Sequence, residues 1–139
     1  MKKQYSIDDL ANVVLNTITF QYNNPERIFE DLKGNIKRKV KSLHRRELTE
    51  KEIITYSMTI ANDVFKDLRK ITTNIISTKL SKELIDKSRS GEFELSEYKD
   101  YFSNFAKEMV KQLLQAKFNY IKNSIKNLNN HKIKKTKKL

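Results

Sequence analysis

Apolar residues recur along this chain at intervals of three and four, the spacing of amphipathic helices and not the alternation of strands. Ile7, Leu10, Val14 and Ile18 mark the face of a first helix, which Ser6 opens because Asp9 stands three residues on, the pattern of a capping box. Tyr5 is placed to staple onto Leu10. After a turn at Gln21 to Pro25, Asn24 serves as cap and Pro25 as first residue of a second helix reaching about Arg45. Its stripe is Ile28, Phe29, Leu32, Ile36, Val40 and Leu43, and Gly34 weakens it by roughly 1 kcal/mol relative to alanine.

Thr49 with Glu52 predicts the start of a third helix, with Leu48 stapling onto Ile53. Its apolar run passes from Ile53 through Ile60, Val64, Leu68, Ile71 and Ile75 to Leu80 and Leu84. That is long for one globular helix, so a break is expected in the β-branched, polar stretch from Thr72 to Thr78. Ser88 to Gly91 reads as a loop, and Glu92, Glu94, Glu97 and Asp100 lead into a fourth helix whose positive end they suit. On that helix Tyr98, Phe102, Phe105, Met109 and Leu113 share one face, while Leu114, Phe118, Ile121, Ile125 and Leu128 share another about half a turn away. Either the helix breaks between Leu113 and Phe118 or its second half packs on something different, a partner or a second copy of the chain. Phe118, Ile121 and Ile125 are therefore the candidate partner-binding or homodimer residues.

Two glycines and one proline supply few hairpin turns. The expected fold is all-α: a bundle of four to five helices over residues 1–128, followed by a lysine-rich tail at 129–139 that lacks a core-forming pattern and is expected to be disordered when free. With no cysteine, thiolate metal sites and disulfides are excluded and a reducing, cytoplasmic setting is expected. The acidic residues after Lys2 and Lys3 do not suit a signal peptide, and no apolar window suits a membrane span.

Charge changes the picture more. The net charge is +12, and it is concentrated. Residues 32–46 hold seven bases and no acid, and residues 109–139 hold nine lysines and no acid; without them the chain has thirteen bases against all seventeen acids, net −4. On the second helix Lys33, Lys37, Arg38, Lys41 and Arg45 occupy one sector opposite the apolar stripe, with Arg46 just beyond. Like charges so close repel, which makes sense opposite an anionic partner, and phosphate is the commonest. Lys122, Lys126, Lys134, Lys135, Lys137 and Lys138 form a second basic set suited to salt-sensitive attraction of nucleic acid. A charged face also serves plain solubility, but a solvated face ordinarily mixes signs, as residues 50–70 do.

Catalytic patterns are absent. His44 and His131 are the only histidines, and two glycines cannot make a phosphate-cradling loop. Asp63 and Asp67 share a helical face at a spacing open to a cation, but Lys66 and Lys70 beside them favour a solvated charged face. The aromatic group Phe93, Tyr98, Tyr101, Phe102 and Phe105 has core spacing, with Tyr101 the most exposed. A helix-turn-helix over residues 25–45 and 49 onward lacks the usual glycine turn, and its basic face lies on the first helix. The sequence thus leads to a non-enzymatic, nucleic-acid-binding (DNA or RNA) accessory or regulatory protein without cofactor, metal, membrane or small-molecule substrate. A protein-binding module or an inhibitor of a nucleic-acid enzyme, of the sort plasmids and phages carry, is the second reading; the Lys-, Asn- and Ile-rich composition is compatible with such AT-rich sources.

Overall fold

A computed structural model describes the backbone of residues 4–137 and the side chains of residues 4–126. The order of elements is α1 (Ile7–Gln21), α2 (Pro25–Leu43), α3 (Glu50–Leu68), α4 (Thr73–Ser77), α5 (Lys82–Ser90), a 3-10 turn (Leu95–Tyr98) and α6 (Lys99–Lys137). The fold is an all-α bundle, and among the described residues no helix is long and apolar enough to cross a membrane.

The starts of the first three helices follow local chemistry. Ser6 and Asp9 exchange side-chain and backbone hydrogen bonds, as do Thr49 and Glu52, so each box satisfies backbone donors that a helix leaves open. Asn24 accepts from the Arg27 amide ahead of Pro25. The Tyr5 ring meets the edge of Phe93 at 5.1 Å, tying the chain's start to the loop before α6.

The expected break near Thr72 is two breaks, after Leu68 and after Ser77, with the one-turn α4 between them. Splitting the run lets Leu68, Ile71, Ile76, Leu80 and Leu84 all turn inward. The predicted loop at Ser88 is mostly helix: α5 continues to Ser90, Ser88 is buried, and only Gly91 leaves the helix, at φ 77°. That left-handed conformation lets the Glu92 amide bond back to the Lys87 carbonyl, a helix stop that glycine adopts without strain.

α6 does not break between Leu113 and Phe118. Its 39 residues form one helix about 58 Å long at 1.5 Å per residue. The two stripes read from the sequence are joined by Ala106 and Val110, both fully buried, so the core face winds gradually from Phe102 through Ala106, Met109, Val110 and Leu114 to Phe118. The winding follows the neighbours: Ser103 near one end bonds to Gln21 of α1, while farther on Gln115 and Lys117 meet α2 and α3. Phe118 is thereby a core residue, 5% exposed, and is withdrawn from the predicted partner surface. Ile121 packs half-buried against the core and Ile125 is 40% exposed. In the stretch 129–139, expected to be a disordered tail, the α6 backbone continues as helix to Lys137, and the side chains lie outside the described residues.

The aromatic group is mainly core, as its spacing indicates. Phe93 and Phe102 are buried, with Tyr98, Tyr101 and Phe105 half-buried around them. Tyr101 is less exposed than expected because its hydroxyl accepts a hydrogen bond from the Ser81 amide at the start of α5, 3.3 Å away.

Candidate functional site

α2 and α3 form an antiparallel hairpin, and α6 lies across its open side. Lys39 of α2 reaches Gln115 and sits 5.2 Å from the Phe118 ring centroid. Farther along, Leu43 and His44 share a groove with Ile121 and Ile125. Residue numbers rise together on the two helices, so α2 and α6 run in the same sense while α3 runs against both, Asp63 pairing with Lys117 at 3.1 Å. The consequence is electrostatic. The basic end of α2, the connection bearing Arg45 and Arg46, and the acid-free half of α6 meet at one end of the bundle. Beyond Ile125 the α6 backbone continues twelve residues to Lys137, about 18 Å past the groove.

The predicted cations of α2, its following connection and α6 divide by what holds them. Lys33 is exposed and lies 5.7 Å from the Phe29 ring centroid, and Arg38 is exposed and donates to Asn35. Lys41 and Arg45 are exposed with no acid in ion-pair contact, as are Lys122 and Lys126, among the described residues. Lys37 is more engaged, its ammonium donating to Glu50 at 2.7 Å with 23% of its side chain exposed. Arg46 grips Glu52 through both terminal nitrogens. The wheel placed Lys37 on the open face, but the first turn of α3 folds back against it. Two of the six predicted α2-end cations are thus partly neutralised by α3. The side chains of Lys134, Lys135, Lys137 and Lys138 lie outside the described residues.

These acids register the surrounding positive charge. The Glu50 carboxyl is held below its ordinary range by the hydrogen bond and charge of Lys37, with Lys41 and Lys33 adding to the effect. Glu52 is pulled from 4.5 down to about 2, first by the Arg46 hydrogen bond and then by the Thr49 backbone amide. Asp63, expected beside Lys66, instead holds Lys117 across the α3–α6 interface. Among the described residues no cluster of three or more His, Cys, Asp or Glu could hold a metal ion.

Within the same end lies an apolar groove of about 310 Å³ between α2, α3 and α6. Leu43, Ile60, Ile121 and Ile125 make its aliphatic wall, and His44 and Tyr56 add a ring pair with centroids 4.8 Å apart and planes 33° apart. The His44 Nδ1 is 2.9 Å from the Val40 carbonyl oxygen; a carbonyl can only accept, so Nδ1 donates to it and Nε2 is the ring nitrogen left for another partner. Tyr56 stays 39% exposed.

No family model, curated protein or solved structure matches this chain.

Lys39, Lys117 and the His44–Tyr56 pair were not singled out from the sequence. Lys39 lies off the basic sector of the wheel, and Tyr56 falls outside the apolar stripe of α3. What could have flagged Tyr56 is its departure from the stripe: a large ring on a polar face has a use other than the core.

Proposed function

We propose that this is a non-enzymatic helical protein that binds nucleic acid by its phosphates, with the end where α2 and α6 converge as the contact surface. One observation carries the reading: two acid-free basic segments, separated in the chain by more than sixty residues, meet at one end of the bundle. A protein needing charge only for solubility has no reason to gather it there, because crowded like charges destabilise the folded state. Lys33, Arg38, Lys41, Arg45, Lys122 and Lys126 are exposed and available for phosphate, the arginines in bidentate fashion.

Titration of the full chain against random duplex DNA, single-stranded DNA and RNA, followed by fluorescence anisotropy, tests this. Six phosphate contacts weaken binding by about 10³-fold between about 50 and about 200 mM salt. A salt-insensitive affinity, or none for any of the three polymers, refutes the reading. The apolar groove favours a second one in that event, a module or inhibitor that docks a protein partner.

A further inference from the structure

Phosphate contacts alone leave the groove beside them unexplained. A double helix keeps its bases stacked inside and would lay its polar backbone over an aliphatic concavity. Single strands offer bases whose apolar faces are free. Resting on the nucleic-acid reading above, we propose that the groove holds one unstacked base of a single-stranded segment against Tyr56, with the adjoining phosphates on Arg45 and Lys122.

Three observations favour this occupant. Cations neighbour it in the chain: Arg45 directly follows His44 and Lys122 directly follows Ile121, two residues that line the groove, and both cations are exposed. The groove also holds more than grease. His44, Thr59 and the Asp63–Lys117 pair line the same cavity, so polar groups are on hand for the edge of a base. An inserted leucine side chain would leave them unused. Finally, His44 covers one side of Tyr56 and holds it in place while 39% of the residue remains exposed, an arrangement suited to stacking. A second copy of this chain is disfavoured because it would bring two strongly cationic ends together.

The test compares two 20-nucleotide probes with the same phosphates, one of oligo-dT and one entirely abasic, on the full-length protein. Oligo-dT should bind about tenfold more tightly, the worth of one stacked base. Tyr56→Ala should erase that preference without changing the salt dependence, and Tyr56→Phe should keep it. A 2-aminopurine reporter in the dT strand should change its emission on binding. Equal affinity of the wild-type protein for the two probes overturns the inference and leaves phosphate binding intact. Binding of neither probe also overturns the inference, and the nucleic-acid reading falls with it only if duplex DNA and RNA fail to bind as well. Should Tyr56→Ala fail to fold by circular dichroism, the wild-type probe comparison and the reporter still decide.

Discussion

The phenol of Tyr22 donates a 2.5 Å hydrogen bond to Asp31, fastening the end of α1 to the second turn of α2. Tyr22 is 2% exposed, and burial, then the hydrogen bond, then the carboxylate's charge all raise its pKa well above the usual 10.0. The fold thus favours the neutral phenol. This stabilisation is complete below pH 10 and is lost as pH rises above it, where the unfolded chain's phenol ionises first. The tyrosinate absorbance that wild type shows and Tyr22→Phe lacks should appear only above pH 10, together with alkaline unfolding. Tyr22→Phe itself should cost about 1 kcal/mol in denaturant melts, since Asp31 is exposed and returns to water.

At the opposite pH extreme, Glu52 controls the start of α3. Its carboxyl is depressed to about 2, so the stabilisation it contributes is present above its ordinary 4.5 and is lost as pH falls toward 2. NMR titration of the Glu52 carboxyl carbon should give a midpoint near 2, and Arg46→Ala should move it upward. An unchanged midpoint would mean that Thr49 alone sets it.

The two glycines should respond oppositely to alanine. At Gly91 an added Cβ meets nothing within 4 Å, but φ is 77°, so Gly91→Ala is strained and should destabilise by about 1 kcal/mol. Gly34 also has open space around it and sits within α2, so Gly34→Ala should stabilise by up to about 1 kcal/mol. Thermal melts of the two variants read both signs.

Phe118 and Ile125, about two turns apart on one apolar stripe of the sequence, should separate by stability. Phe118→Ala empties a core site and should cost about 3–5 kcal/mol. Ile125→Ala, at a groove 40% open, should cost under about 1 kcal/mol. Similar costs for both would mean that α6 is seated differently.

Within the basic surface, Lys41→Ala with Arg45→Ala should reduce the slope of log affinity against log salt by about 2 and leave the melt unchanged. Lys37→Ala should differ by also releasing Glu50, so that the Glu50 carboxyl titrates at higher pH. Equal salt slopes for wild type and the double variant would remove Lys41 and Arg45 from the interface.

Much of the fold was legible because it is local. Caps act within three residues, so Ser6, Asn24 and Thr49 announced their helices, and the apolar stripe of α2 is the buried one. The course of α6 was harder to read, since Ala106 and Val110 are inconspicuous beside the aromatic and leucine positions they connect. Of the site, the cations were visible, but their partners were not: the pairing of Lys37 with Glu50 and of Asp63 with Lys117 depends on how helices dock. The meeting of the two basic segments depends on the relative direction of α2 and α6, which no local pattern encodes.

The bonds that seat α6 link residues far apart in the chain: Ser103 to Gln21, 82 positions away, and Lys39 to Gln115, 76 positions away. During synthesis, α1 to α5 therefore leave the ribosome before the helix that covers them exists. Until about Phe118 has emerged, the apolar faces of α1 and α3 have no α6 to close them. Completion of the last helix is then also the step that ends this exposure and brings the acid-free part of α6 to the end of α2.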